Sequence, residues 1–140
     1  MNTMKKNGGF TLVELIIVIA ILAILSTGAI AGYSRYIQNA NNTAVEAVLS
    51  DISTAAVLAN AQAGAVTKIE VAESNGKLEI EVTLGTVASD FEELFEASVK
   101  SAGDVENKVY TGTINLPSAW KNSEYAAGAT WDGSAWAITE

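Results

Sequence analysis

Hydrophobic positions are distributed unevenly along the 140 residues. Leu15–Ser34 is a run of 20 residues without a charge. As a helix rising ~1.5 Å per residue it reaches ~30 Å, about one hydrocarbon core. The helical pattern continues past it. Ile37, Asn41, Ala44, Val48, Ile52, Ala55 and Ala59 recur at three- and four-residue steps, flanked by Ala40, Val45, Leu49 and Leu58. Asn39, Asn42, Glu46 and Asp51 fall on the opposite side. No Pro or Gly interrupts residues 33–63, and Gly64 supplies a stop. The pattern predicts one helix from about Phe10 to Ala63, ~80 Å long.

The period then changes from helical to two. Ile69 and Val71 alternate with Glu70, and Leu78, Ile80, Val82 and Leu84 alternate with Glu79, Glu81 and Thr83. Asn75-Gly76 lies between the two runs, a strong hairpin signal. Ser89 with Glu92 three residues on reads as a capping box for a short helix over about Asp90–Ser101, ended by Gly103. Phe91, Leu94, Phe95 and Val99 form its apolar side. Val109–Leu116 is a further strand, stopped by Pro117. Asp132-Gly133 predicts a tight turn before a closing strand at Ala135–Thr139. The expected fold class is α+β: a long amino-terminal helix, half transmembrane and half amphipathic, packed on a small antiparallel sheet with one short extra helix. The boundaries fall at residues 1–9, a segment before the apolar run, 10–34, a transmembrane helix, and 35–140, a head that includes the second half of the helix.

Composition narrows the function. The chain has no Cys and no His, which excludes disulfides, the usual zinc and haem ligand sets, and Cys–His or Ser–His catalytic pairs. No cofactor is implied. The net charge is −8, and the residues beyond Arg35 alone carry −10. So acidic a surface repels phosphate backbones, and no general nucleic-acid binding is expected.

Glu14 stands against this background, one residue before the charge-free run. Lys5 and Lys6 precede the run and orient the amino terminus to the cytoplasm. A cleaved secretory signal peptide accounts for the two lysines, the apolar run and the small-residue pattern Ala29-Ile30-Ala31. A single-pass anchor accounts for the length. Neither gains from a carboxylate, which costs ~3 kcal/mol or more inside a bilayer. Cleavage between Gly9 and Phe10 would create a charged amine at Phe10. The amine could pair with Glu14, four residues on, or better with Glu14 of a neighbouring chain. At ~4 Å and an effective dielectric of ~20 such a pair gains ~4 kcal/mol before desolvation.

The segment KKNGGFTLVELIIVIAILAIL closely resembles the class III signal of type IV pilins and pseudopilins. The resemblance covers residues 5–36, including Tyr33 and Tyr36, where this family often carries tyrosines. It implies a prepilin cut after Gly9 by a prepilin peptidase, methylation of the Phe10 amine, and Glu14 as the assembly glutamate. The implied partners are further copies of the chain in a homopolymeric filament, the pilus assembly machinery, and the cytoplasmic membrane before assembly. The implied location is the cytoplasmic membrane for the precursor and the cell surface for the pilus, serving adhesion or motility. A pseudopilin of type II secretion or DNA uptake is the alternative. The sequence departs from the family at Ala31, where many pilins have a helix-kinking Pro, and in lacking the carboxy-terminal disulfide.

Other chemistry is thinner. Trp120, Trp131 and Trp136 suggest core or sheet-edge packing, with a sugar-binding platform of a membrane-anchored adhesion module as the sharper reading. Asp104, Glu106 and Asp132 match no calcium-loop spacing. Asn41-Asn42-Thr43 is formally a glycosylation sequon, read as helix surface. Asp90, Glu92, Glu93 and Glu96 read as a solvated face. No nucleophile–base set appears, so no enzyme is expected.

Overall fold

The computed structural model describes residues 9–60 and 65–139. The chain divides into two compact units, residues 1–37 and 38–140. Helix α1 runs Leu12–Ala59, followed by β1 (Val66–Ser74), β2 (Lys77–Leu84), α2 (Phe91–Val99), β3 (Ala102–Glu106), β4 (Val109–Asn115), β5 (Ala129–Trp131) and β6 (Trp136–Ile138). The expected α+β class holds. The helix starts two residues later than expected, at Leu12, because Thr11 caps it. The expected end at Ala63 and the stop at Gly64 lie outside the described residues. So do Lys5 and Lys6.

In the first unit every described residue is exposed. One 18-residue window of α1 has mean hydropathy 2.6 with no part buried, so by length and composition this helix can cross a membrane. It is continuous through Gly28, Ala31 and Gly32. Ser26 Oγ donates to the Leu22 carbonyl at 2.6 Å, and Thr27 Oγ1 to those of Ala23 and Ile24, so these hydroxyls are satisfied within the helix.

The second unit is a six-stranded antiparallel sheet in the order β3-β4-β2-β1-β5-β6. Val45, Leu49, Ile52 and Ala56 of α1 share one buried core with Ile69, Val71, Leu78, Ile80 and Val82 of the sheet. The helical stripe is rotated from the expected one. Val45 and Leu49 lie at its centre and Ala44 and Leu58 are exposed. Asn42 and Glu46, expected on the solvent side, bond instead to the carboxy-terminal segment. Asn42 Oδ1 accepts the Glu124 N–H at 2.9 Å, and Glu46 accepts the Tyr125 hydroxyl at 3.0 Å. The buried Asn60 pins the loop before α2, accepting the Ala88 N–H at 3.1 Å and donating to the Thr86 carbonyl at 2.9 Å.

The Asn75-Gly76 hairpin forms as expected, with Ser74 opposite Lys77 and both turn residues at positive φ. β1 begins earlier than its alternation indicates. A register shift between Val66 and Lys68 lets Val66 and Ile69 both face inward. β3 is unexpected. It forms a hairpin with β4 across Asn107 and Lys108, both at positive φ. Gly103 therefore does not end α2. It sits within β3, where an added Cβ would collide with the Thr111 carbonyl oxygen. Ser89 is likewise not the cap of α2. Asp90 occupies that place without a side-chain cap bond, and the helix ends on Lys100 in the left-handed conformation, its N–H reaching the Glu96 carbonyl. The fourth and last strands are one or two residues shorter than expected, ending at Asn115 and spanning Trp136–Ile138.

An aromatic cluster fills the space under α2. Phe91 and Phe95 stack at 5.4 Å, and both meet the Tyr110 ring edge-on. The Tyr110 hydroxyl donates to Glu96 at 3.1 Å and lies 2.7 Å from Ser101 Oγ. The same Glu96 oxygen accepts the Gly103 N–H at 2.9 Å, tying β3 to the helix. Burial raises the Tyr110 pKa to about 12, the Ser101 hydrogen bond opposes that rise, and the Glu96 carboxylate adds to it.

Candidate processing and assembly site

The residues singled out at the amino terminus are adjacent and accessible. Gly9, Phe10 and Thr11 precede the helix in non-helical backbone, and the Phe10 side chain is 86% exposed. Phe10 is thus outside the helix, and the expected helical i, i+4 relation between Phe10 and Glu14 does not form. The Glu14 carboxylate has another intrachain partner. It accepts the Thr11 N–H at 2.9 Å and the Thr11 hydroxyl at 3.2 Å, while Thr11 Oγ1 accepts the Glu14 N–H at 3.2 Å. This is a capping box, which satisfies two N–H groups that a helix start leaves without partners. The sequence carries its signal as Thr11-Leu12-Val13-Glu14, overshadowed by the apolar run that begins there. A carboxylate at the third helical position also lies at the positive end of the helix dipole. Glu14 is therefore satisfied within one chain before any partner chain or cleavage is considered.

The other candidates are placed apart. Trp120 is fully buried, with its indole N–H lacking an acceptor among the described residues. Trp131 is buried, and Trp136 is half-buried, donating to Ser53 Oγ at 3.3 Å. These rings are core and cover, and they form no exposed platform. Asp104 and Glu106 lie on β3 at one sheet edge, and Asp132 lies in the β5–β6 turn at the other. Among the described residues no group of three or more acidic side chains is placed to hold a metal ion. Asp132 Oδ1 instead closes its turn on the N–H groups of Ala135 and Ser134, which hold its pKa below the usual value.

Comparison with known proteins bears on the same segment. A family pattern described as the prokaryotic N-terminal methylation motif matches residues 4–30, which contain Gly9, Phe10, Thr11 and Glu14. The type IV major pilin protein PilE of Neisseria gonorrhoeae is 34% identical over 138 residues, spanning 96% of this chain and 73% of that protein. The chain belongs to the type IV pilin family. A second pilin from the same organism, the type IV major pilin protein PilE1, is 38% identical over 115 residues, 82% of this chain and 56% of its own length. A fimbrial protein of Neisseria meningitidis is 36% identical over 114 residues, 81% of this chain and 58% of its own length. The chain thus spans well under two thirds of several of the pilins it matches. No solved structure matches it.

Proposed function

We propose that this pilin is made as a membrane-anchored prepilin and polymerises into a surface filament that serves adhesion or motility. Its role is structural. Residues 1–9 are the leader, residues 10–34 the membrane and polymerisation helix, and residues 35–140 the head. A prepilin peptidase cuts between Gly9 and Phe10 and the Phe10 amine is methylated. The observation that carries this reading is the run Gly9-Phe10-Thr11, non-helical and exposed, directly before an apolar helix that matches the methylation motif. Peptidases act on extended backbone, and the capping box starts the helix two residues beyond the cut, which keeps the scissile bond out of it.

After the cut, the new ammonium stands one residue before Thr11, close to the carboxylate that already caps the helix. Glu14 then has two tasks, capping its own helix and neutralising an amine of its own or a neighbouring chain. Transfer of residues 10–32 from lipid into a bundle of like helices drives assembly, and the Glu14–Phe10 pair sets the axial stagger.

Intact-mass analysis of native filaments tests the reading. The expected chain starts at a monomethylated Phe10; a mature terminus at Gly32 would overturn it in favour of a secretory signal peptide. Two variants separate the tasks of Glu14. Gln serves a capping box nearly as well as Glu but carries no charge. Glu14→Gln is therefore expected to be cleaved normally and to assemble as poorly as Glu14→Ala. Normal filaments from Glu14→Gln would leave capping as the sole task.

A further inference from the structure

Two turns of the head carry a residue pair whose own atoms can react, Asn75-Gly76 between β1 and β2 and Asp132-Gly133 between β5 and β6. In both, the amide nitrogen of the glycine can attack the side-chain carbonyl carbon before it. Glycine leaves that approach unshielded because it has no Cβ. The structure sets the two turns apart. Asp132 Oδ1 accepts the Ser134 N–H at 2.9 Å, the Ser134 hydroxyl at 2.8 Å and the Ala135 N–H at 3.0 Å. That side chain is fixed, and as a carboxylate it has no good leaving group.

Asn75 has neither restraint. It is exposed, and its carboxamide makes no hydrogen bond among the described residues. Gly76 is exposed as well, an added Cβ there would meet nothing within 4 Å, and its N–H has no backbone partner among the described residues. No other asparagine among the described residues precedes a glycine, and Asn42 and Asn60 are held by hydrogen bonds. What restrains Asn75 is the turn itself. Asn75 and Gly76 sit at φ 53° and 76°, and ring closure needs the backbone at Asn75 to rotate out of that conformation. The turn lies at the very end of the β1–β2 ladder, beyond the Ser74–Lys77 rung, so a local opening is enough.

From this we infer that Asn75 is a site of spontaneous deamidation, through which the head gains one negative charge and records the time since it folded. The Gly76 nitrogen gives its proton to a solvent base and bonds to Cγ of Asn75. The Cγ–Nδ2 bond breaks and ammonia leaves, closing a five-membered succinimide. One water then opens the ring. Attack at Cγ yields aspartate, which suits the same turn. Attack at the main-chain carbonyl yields isoaspartate, which routes the main chain through the side chain and lengthens it. β1 and β2 are the two central strands of the sheet, so the longer turn falls where their register is set. The inference does not depend on the filament reading above.

The test incubates the purified full chain in detergent micelles in mildly alkaline buffer. Trypsin cuts after Lys68 and Lys77, and mass spectrometry follows peptide 69–77, which contains no other asparagine. Asn7-Gly8, outside the described residues, falls in a different peptide. Peptide 69–77 is expected to gain one mass unit, as NH2 is exchanged for OH, and to split into two chromatographic isomers. The other peptides from the described residues should keep their mass over the same interval. Gly76→Ala, with its sheet verified by circular dichroism, is expected to lose the conversion. An unchanged peptide 69–77 in the wild-type chain overturns the inference, and conversion of the isolated peptide alongside it would assign the protection to the folded turn. Undiminished conversion in Gly76→Ala overturns the route through the Gly76 nitrogen.

Discussion

Leu22 and Leu49 are the same residue in the same helix, yet Leu22 is 55% exposed and Leu49 is fully buried. The first belongs to a stretch in which every residue is exposed among the described residues. The second is held by Ile69, Ile80 and the other strand residues of one core. The difference separates two kinds of hydrophobic surface. Around Leu22 the pattern is apolar on every side, as lipid or a bundle of like helices requires. Around Leu49 it is a stripe, as a single sheet requires. One element thus carries an uncovered apolar surface in its first part and the buried face of a folded core in its second.

The sharpest way to break this comparison is paired truncation. Leu49→Ala is expected to lower the unfolding free energy by ~3 kcal/mol, within the range for a buried leucine. Leu22→Ala should leave it unchanged, and urea titration of the detergent-solubilised chain reads both. A large effect at Leu22 would mean that the apolar stretch has a partner in its own chain.

Next in size is Asn60→Ala. It leaves the Ala88 N–H and the Thr86 carbonyl without their partner, and is expected to cost about 1–3 kcal/mol in the same titration. The loop before α2 should then lose hydrogen-exchange protection ahead of the sheet.

Alkaline pH gives a third test. Burial raises the pKa of Tyr110 to about 12, with Glu96 adding to the rise. Burial likewise raises Tyr125 to about 12, with Glu46 adding. Both groups hold their protons more tightly folded than unfolded, where tyrosine titrates near 10. Stability is therefore fully present below pH 10 and falls between pH 10 and 12, by up to about 1.4 kcal/mol per pH unit for each tyrosine. Tyr110→Phe should flatten that slope by half, although it also leaves Ser101 without its hydroxyl partner. A melting curve unchanged up to pH 12 would contradict the burial of these hydroxyls. The smallest effect expected is a gain: Lys100→Gly should stabilise the head by about 0.5–1 kcal/mol by relieving its left-handed backbone.

Legibility divides along the same line. The apolar run and the Asn75-Gly76 hairpin can be read as a helix and a turn because each is a strong local signal. So can the alternating β1 and β2. β3 cannot. Ala102, Gly103 and Asp104 have little intrinsic preference for strand, and the segment is held by its partner β4 and by Glu96 from α2. Its turn, Asn107-Lys108, lacks the glycine that would mark it. The phase of the α1 stripe differs from the expected one by about one residue, since alanines make two neighbouring faces look equally apolar. At the amino terminus Gly9, Phe10 and Glu14 stand out in the sequence. The capping role of Thr11 emerges only from the structure, although Thr-x-x-Glu is a known helix-start pattern.

The strand order β3-β4-β2-β1-β5-β6 also has a meaning in time. It consists of three hairpins laid side by side, β1–β2, β3–β4 and β5–β6. Isolated hairpins close in about 1–10 μs, and with no cysteine in the chain no oxidation step delays their joining. The slower events connect distant segments: β2 to β4, β1 to β5, and the helix to the finished sheet. The helix precedes every strand in the chain. Until the sheet covers them, Val45, Leu49 and Ile52 are as prone to stick as the apolar run before them, and a partly folded chain with such a surface exposed is prone to aggregate.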